Sequence, residues 1–303
     1  MQVPLMPLYF ALLRQPLRLL LHSLLLCCVF FSLQGHSKPL VVATYAYPDI
    51  NRQAAVTPLA HWLAAQQQQQ VTVLVATKPE ELVQLAVQGK ADLVVPNLVA
   101  YLQIQQQNQT MLNFLVPAGQ QTQQQAVYTS SLLGKNVTNF QQLQLLLPQG
   151  QPLTVFAVWP DSASGGLIAT AALKQQLAGQ FLKLKFNYVG SHQAVLPALA
   201  ASEQGLGIVA SATLPAQLPK DVSEIWRSAE LPFGALLCNS QTLPCHQLSQ
   251  QLSKAPQAAA VLQGLQQGWA EFRQSTHLAP VDDAPYQPLR GLLSTGSAKS
   301  HTA

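Results

Sequence analysis

Short apolar segments with strand character alternate with segments of helical spacing along most of this chain. Residues 40–46, 71–77 and 92–95 are rich in β-branched and apolar side chains. Residues 57–65 and 79–88 lie between them and place apolar side chains at helical intervals. Because this β-α-β order requires a mostly parallel sheet with helices on its faces, we predict an α/β fold.

A second set of alternating strands and helices begins near residue 126, so we expect two lobes. Its predicted strands include residues 153–158, 184–189 and 207–210. Two chain crossings between the lobes would form a hinge, and a ligand would bind in the cleft between them. The predicted division is a signal peptide at 1–37, lobe 1 at 38–123 and 234–280, lobe 2 at 124–233, and a C-terminal tail at 281–303 that frays after Pro285.

The first 37 residues have the pattern of a secretory signal. Arg14 and Arg18 precede an apolar stretch at 19–33, and no acidic residue occurs before Asp49. We expect cleavage at the end of this segment. An uncleaved anchor is the alternative, although the stretch is shorter than the roughly 20 apolar residues that a spanning helix needs. The segment therefore predicts a protein that is exported from the cytoplasm.

The composition argues against a nucleic-acid-binding protein. Charged residues make up 9% of the chain, with 16 basic residues against 12 acidic ones, and Lys and Arg form no cluster. Binding to a phosphate backbone needs a basic face. Glutamine, with 42 residues, takes the place of charge, and the 49% apolar fraction suffices for a folded core.

Cys238 and Cys245 are the two cysteines that remain once the signal segment is removed. An even pair in an oxidising compartment favours a disulfide, and the Asn, Ser and Pro residues between the two suit a tight loop. We therefore predict that these cysteines are bonded to each other, and two buried free thiols are the alternative.

Residues 161–166, Asp-Ser-Ala-Ser-Gly-Gly, join a predicted strand to a predicted helix. The first amide groups of a helix have no partner within it, and the helix dipole places partial positive charge there. Two hydroxyls and two glycines would let those amides approach an anion closely without a Lys. The pattern therefore indicates an oxyanion site at Ser162 and Ser164, with a plain N-cap as the alternative.

Two further segments follow predicted strands and could reach the same cleft. Gly190, Ser191 and His192 open a helix, where His192 could donate to an anion. Tyr45 and Tyr47 end the first strand, and the carboxyl ends of strands face the crevice in open α/β sheets. A structural or surface role is the alternative for His192, and core packing is the alternative for the tyrosines.

The sequence carries no recognisable catalytic motif. It contains no Gly-x-Ser-x-Gly elbow, no phosphate loop ending in Gly-Lys-Ser/Thr, no His-Glu-x-x-His and no Cys-x-x-Cys. The acidic residues are scattered apart from the adjacent pairs at 80–81 and 282–283. We therefore predict a protein that is not an enzyme and that uses no cofactor and no metal.

Together these segments resemble the periplasmic substrate-binding proteins of phosphonate, phosphite and phosphate ABC transporters. The resemblance covers residues 40–289, and its short matching segments occur in the family's order and spacing. They are residues 43–48 followed by 57–60, residues 89–93 followed by Ala100 and Tyr101, residues 161–166, residues 190–195 and residues 281–286.

The resemblance implies the two-lobed type II periplasmic binding protein fold, in which each lobe is a mostly parallel sheet flanked by helices and two hinge crossovers join the lobes. It also implies a small oxyanion ligand, namely a phosphonate, phosphite or phosphate, which is captured in the cleft for uptake through an ABC transporter permease. A monomer is expected. The alternative is an orphan or sensory member of the same fold that signals to a membrane sensor kinase.

The resemblance also implies roles for individual residues. Ser162 and Ser164 would donate hydroxyls and amides to the anion, Gly165 would add an amide, and His192 would contact the same group. The looser matches are Tyr47 and Tyr128 on the wall of the cleft, Ala163 where the family usually has Thr, and Asn97 in a segment where the family has a different sequence.

The chain departs from the family where acidic residues would hold the rest of the ligand. Gly205 and Ala210 stand at the positions where those acids would fall. The residues that would bind the anion therefore match the family's pattern better than the residues that would confer specificity for the rest of the ligand. Phosphate, phosphite, another small anion or a degenerate site all stay open, and an aminoethyl phosphonate is disfavoured.

Overall fold

The structure, a computed structural model, describes residues 38–119, 128–147 and 152–296. The predicted signal peptide at 1–37 and the end of the predicted tail lie outside these residues. Within the described ranges, no helix combines the length and the apolar character that crossing a bilayer requires.

Twelve strands in the described residues form two five-stranded sheets and one two-stranded sheet. In chain order they are β1 Leu40–Tyr45, β2 Val71–Ala76, β3 Leu93–Val94, β4 Met111–Asn113, β5 Val116–Ala118, β6 Ser130–Lys135, β7 Leu153–Ala157, β8 Leu184–Tyr188, β9 Gly205–Ala210, β10 Val222–Arg227, β11 Leu237–Asn239 and β12 His277–Ala279.

The same residues contain nine α-helices, and four of them begin at a polar residue whose side chain caps the first turn. Asn51, Asn97 and Ser191 accept hydrogen bonds from amides in the first turns of α1, α3 and α6. In chain order the helices are α1 Arg52–Gln67, α2 Pro79–Val87, α3 Leu98–Gln107, α4 Phe140–Leu146, α5 Ile168–Leu177, α6 His192–Ala201, α7 Cys245–Lys254, α8 Ala258–Gly268 and α9 Gln287–Gly296.

Each large sheet has four strands in one direction and one strand in the other. The first sheet has the order β2-β1-β3-β11-β4, and β11 is antiparallel to both of its neighbours. The second has the order β10-β6-β9-β7-β8, and β6 is its reversed strand. We call the part of the chain built on each sheet a lobe. The mostly parallel sheets and the two-lobed fold class are as predicted.

The reversed strand of each sheet is also the first strand after the chain crosses into that lobe. The two crossings lie side by side and are hydrogen-bonded to each other. The amide of Leu231 donates to the carbonyl of Tyr128 at 2.8 Å, and the amide of Ser228 donates to the carbonyl of Ser130 at 2.9 Å. The two crossings thus form the hinge of the predicted fold. The lobe boundaries at 38–123, 124–233 and 234–280 stay a prediction.

Central strands of each large sheet are buried on both faces, to which adjacent residues of a strand point in turn. In the first lobe, Val42 packs in the cluster formed with α1 and α8, whereas Ala43 packs in the cluster formed with α2 and α3. In the second lobe, Leu132 and Leu133 divide in the same way between the α5 side and the α6 side. Such burial explains the nearly continuous apolar character of these strands.

The end of the chain corrects one prediction. The tail was expected to fray after Pro285, but residues 287–296 form helix α9. Tyr286 is buried and donates its hydroxyl to the carbonyl of Phe233 at 2.8 Å, and Leu293 is 8% exposed. Arg290 pairs with Asp283 through both terminal guanidinium nitrogens. The apolar residues of this segment recur at helical spacing, and their burial outweighs the presence of Pro and Gly.

The predicted disulfide joins Cys238 on β11 to Cys245 at the start of α7. The two Cα atoms are 5.8 Å apart, which is an ordinary separation for a bonded pair. The bond closes the loop that carries Pro244 and holds α7 against the end of the strand that follows the second crossing.

Candidate functional site

A cavity of about 390 Å³ lies between the two lobes, which is a common size for a small-molecule site. Its wall includes the carboxyl ends of β1 and β9, the segments that follow β7 and β8, both crossings and the turn after α8. Seven of the eight ligand-binding residues predicted from the sequence line it, namely Tyr47, Asn97, Tyr128, Ser162, Ala163, Ser164 and His192.

The segment after β7 opens its helix with a π-helical turn at Ala163–Leu167. The first bond within this turn runs from the amide of Leu167 to the carbonyl of Ser162 at 2.9 Å. The amides of Ala163 and Ser164 precede that bond, so the helix itself does not use them. Both residues line the cavity, and the wide turn therefore presents donors and partial positive charge at its wall.

Gly165 lies behind this wall rather than in it. Its amide donates to Ser162 Oγ at 3.1 Å, so the amide that was predicted to bind an anion acts in the N-cap instead. A Cβ at this position would collide with Val158 and would stand 2.8 Å from His192 Cε1. Gly165 therefore allows the imidazole of His192 to pack closely against the turn.

His192 is the first residue of α6, and its ring is held in one tautomer. The amide of Ala210 donates to Nδ1 at 3.0 Å, so a neutral ring carries its proton on Nε2. Burial lowers the pKa of His192 to about 4, and the ring is therefore neutral at physiological pH. Its Nε2–H group is then the one ring donor that an anion in the cavity could use.

Tyr128 belongs to the first crossing and lies beside the π-helical turn. Burial raises its pKa, and hydrogen bonding to the hydroxyl and amide of Ser164 offsets only part of that effect. The carbonyl of Ser164 accepts a hydrogen bond from Ser130 Oγ at 2.7 Å, which fixes the turn against β6. Tyr128 therefore supplies a neutral hydroxyl next to Ser164.

Contacts between the lobes close one side of the cavity. Tyr47 accepts a hydrogen bond from the amide of His192 at 3.2 Å, and its ring meets Trp159 edge to face. Asn97 caps α3 and also donates to the carbonyl of Asp161 at 3.0 Å. Tyr47 and Asn97 thus hold the two helix starts of the second lobe as well as lining the cavity.

Two carboxyl groups from opposite lobes meet next to these contacts. Asp161 follows β7, and Glu80 lies in the first turn of α2. Burial, and then the hydrogen bond and charge of Glu80, raise the pKa of Asp161 to about 6. Gln103 donates to Asp161 Oδ1 at 3.2 Å, and Lys78 and Tyr188 are the other titratable groups nearby. At this contact between the lobes, the carboxyl group of Asp161 therefore binds a proton more tightly than a solvated carboxyl group does.

Sequence reasoning missed the charged residues of the first lobe that line the cavity. Arg52, the first residue of α1, is 5% exposed and lies 4.0 Å from the ring of Tyr45 and 4.5 Å from that of Trp269. Its Nε donates to the carbonyl of Gly268 at 3.1 Å. One signal was present, because a cation in the first turn opposes the helix dipole and so indicates another role.

Glu271 and Arg273 are the other charged residues of this wall that the sequence reasoning did not find, and Arg273 is exposed. The carboxyl group of Glu271 is the one that interacts with Arg52. Glu271 lies in the turn after α8, where burial raises its pKa and the charge of Arg52 partly opposes that shift. Within the described residues, no group of three or more His, Cys, Asp or Glu side chains is placed to hold a metal ion.

The sequence matches a family model over residues 42–286, and the family is described as "ABC transporter, phosphonate, periplasmic substrate-binding protein". No curated protein is similar enough to the chain to count as a match.

Solved structures share the fold at low sequence identity. XAC2383 from Xanthomonas citri, bound to chloride ion, is 15% identical with a TM-score of 0.66, over 86% of this chain and 98% of that one. PhnD1 from Prochlorococcus marinus in complex with methylphosphonate is 13% identical with a TM-score of 0.61, over 85% and 98%. A binding component of an ABC phosphonate transporter from Pseudomonas aeruginosa is 16% identical with a TM-score of 0.58, over 85% and 86%. Because the family model matches residues 42–286, this chain belongs to the periplasmic substrate-binding proteins of the phosphonate ABC transporter family.

Proposed function

We propose that this protein captures a small oxyanion, with a phosphonate as the first candidate, in the cleft between its lobes and delivers it to an ABC transporter permease. The observation that carries the proposal is the π-helical turn at Ala163–Leu167, whose first amides are not used within the helix and whose residues line a cavity together with a neutral His192. Secretion through the segment 1–37, a periplasmic location and a monomeric state belong to the same proposal.

The chemistry of the cavity supports an anion of this kind. Amides, serine hydroxyls and an imidazole N–H group are all donors, and donors removed from water bind a charged acceptor more strongly than a neutral one. Ser164 provides a hydroxyl and an amide, which hydrogen-bond to the Tyr128 hydroxyl and which an anion could take over. Ser162 holds the turn in shape through its N-cap. None of these donors changes its protonation state near neutral pH, so the site would bind a charged oxyanion throughout that range.

The contacts between the lobes support capture by closure. Asn97 and Tyr47 of the first lobe reach the two helix starts of the second lobe, where the anion would bind. A ligand at those helix starts would be enclosed when the lobes close about the two crossings, as in hinge-bending binding proteins. A permease could then distinguish the closed, loaded protein from the open one.

A binding screen tests this proposal. Residues 38–303 are titrated by calorimetry with methylphosphonate, phosphite and phosphate, and sulfate serves as the control oxyanion. We expect at least one phosphorus oxyanion to release heat and to raise the melting temperature, because a ligand that binds only the folded state stabilises it. An absence of heat and of thermal shift with every phosphorus oxyanion would overturn the proposal.

A further inference from the structure

The end of the cavity formed by the first lobe contains Arg52, which is buried, and Glu271, which is half-buried, and these opposite charges are not paired with each other. The exposed Arg273 lines the same wall. Arg52 and Glu271 both line the cavity and influence each other electrostatically. The ion pairs of the described residues are found elsewhere, and none joins these two side chains. Separated charges at one cavity wall are costly to bury, unless a bound group supplies the missing partners.

The guanidinium of Arg52 is fixed in position but incompletely hydrogen-bonded. The rings of Tyr45, Trp269 and Tyr47 surround it, and Gly268 accepts from Nε. Its Nη1 has no hydrogen-bond partner among the described residues. Aromatic faces stabilise the cation without replacing the oxygen acceptors that its fork of N–H groups suits, and a carboxylate would provide them.

Within the part of the chain that the structure describes, Glu271 has no cation in contact, just as Arg52 has no anion in contact. Its own backbone amide stabilises the carboxyl group, and Arg52 acts on it through charge rather than contact. Burial at the cavity wall makes the ionised carboxylate costly in the absence of a partner. An ammonium group in the cavity would stabilise it by both charge and hydrogen bonding.

The size of the cavity points to a ligand that is larger than a bare oxyanion. Its volume of about 390 Å³ is ample for a tetrahedral anion plus an organic substituent. Ile50 and Phe233 line it along with the tyrosines, so part of the wall is apolar. The donors at Ser164 and His192 belong to the second lobe, and Arg52 and Glu271 belong to the first, so a ligand could contact both lobes.

We propose that the cleft is specific for a phosphonate whose substituent is an amino-acid group, with its carboxylate at Arg52, its ammonium at Glu271 and its phosphonyl group at the turn that carries Ser164. This inference rests on the proposed function, and it names the class of substrate. In this proposal Glu271 of the first lobe provides the acidic residue that is missing at Gly205 and Ala210 of the second lobe.

Four ligands that differ by one group at a time test the inference on residues 38–303. Methylphosphonate offers the phosphonyl group alone, 3-phosphonopropionate adds the carboxylate, 2-aminoethylphosphonate adds the ammonium, and 2-amino-3-phosphonopropionate carries all three. We expect the last to bind about tenfold or more tightly than any of the others, because it satisfies both charges. Equal affinities for the four ligands would overturn the inference and leave the proposed function standing, whereas no binding of any phosphonate, phosphite or phosphate would overturn both.

A nearly isosteric substitution separates specificity from folding. Glu271→Gln should weaken 2-amino-3-phosphonopropionate about ten- to hundredfold and should leave the affinity for 3-phosphonopropionate within a few-fold. Arg52→Lys should weaken 3-phosphonopropionate relative to methylphosphonate. Glu203→Gln, at an exposed position in the second lobe, is the matched control and should change neither affinity. A uniform loss across all ligands in the Glu271→Gln protein would show a structural role and would overturn the inference.

Discussion

His192 shows how one backbone contact can decide the chemistry of a site. The amide of Ala210 occupies Nδ1 and burial lowers the pKa of the ring to about 4, so the imidazole acts as a neutral donor through Nε2. Its contribution to stability is lost as the pH falls from the ordinary value of 6.5 through about 4, because the unfolded state then binds the proton more readily. The proposed anion site therefore depends on donors whose state is constant at neutral pH.

Ser164 gives the most direct test at the scale of a residue. Ser164→Asp would place a fixed negative charge beside the proposed anion, and like charges in such contact cost several kcal/mol. We expect calorimetry to show a loss of oxyanion affinity of more than about hundredfold. Ser249→Asp on α7 is the control, and it should bind as the unchanged protein does. Unchanged affinity in the Ser164→Asp protein would contradict the placement of the anion.

Sequence reasoning found the donors of the second lobe but not the charges of the first. Ser162, Ser164 and His192 stand at helix starts that a strand precedes, and that local pattern is visible in the sequence. Arg52 is held at the cavity by the carbonyl of Gly268, which lies 216 residues away, and no local spacing reveals such a contact. The shift of the Gly165 amide into the N-cap was equally hidden, because it depends on the form of the turn.

At the scale of elements, the strand and helix order was predictable because buried strands and amphipathic helices differ in period. The π-helical turn and α9 were not. A wide turn has no distinct spacing of apolar residues. The helix at Gln287–Gly296 contains Pro and Gly, which disfavour a helix locally, and it forms because the burial of its leucines against the first lobe outweighs that preference.

Helix α9 should contribute measurably to folding. Leu293 is 8% exposed, and Leu293→Ala should lower the free energy of unfolding by about 2–4 kcal/mol, because it leaves a cavity. Leu182→Ala is the control, since that side chain is 87% exposed and should change stability by less than about 0.5 kcal/mol. Urea denaturation measures both values. Equal effects would contradict the docking of α9 against the lobe.

The contact between α2 and the segment after β7 should make stability depend on pH. The pKa of Asp161 is raised from 3.8 to about 6, so the folded state binds a proton more tightly than the unfolded state does. Stability should therefore fall as the pH rises from about 4 to about 6, and the full cost is present above that window.

Asp161→Asn removes the titrating group and should flatten this dependence, as measured by denaturation between pH 4 and pH 7. Asp49→Asn is a suitable control, because Asp49 is exposed and its φ of 61° suits Asn equally well. If both variants show the same dependence of stability on pH as the unchanged protein, the contact between Asp161 and Glu80 is not its source and the prediction is wrong.

At the scale of the whole molecule, two crossings join lobes that also meet through polar contacts and through apolar side chains, such as Trp159 against Tyr47. The crossings are hydrogen-bonded to each other, whereas Asn97 and Tyr47 reach the opposite lobe at the cavity. We expect a bound oxyanion to favour closure, and small-angle scattering should then show a smaller radius of gyration than for the free protein. An unchanged radius at saturating ligand would contradict capture by closure.

The position of the bound anion is the quantity that matters most. A crystal structure of residues 38–303 with methylphosphonate measures it directly. We predict phosphonyl oxygens about 2.7–3.1 Å from the amide and hydroxyl of Ser164 and from Nε2 of His192, with both lobes in contact with the ligand. A phosphonyl group located outside the cleft, or a cleft that stays empty at saturating methylphosphonate, would contradict this prediction.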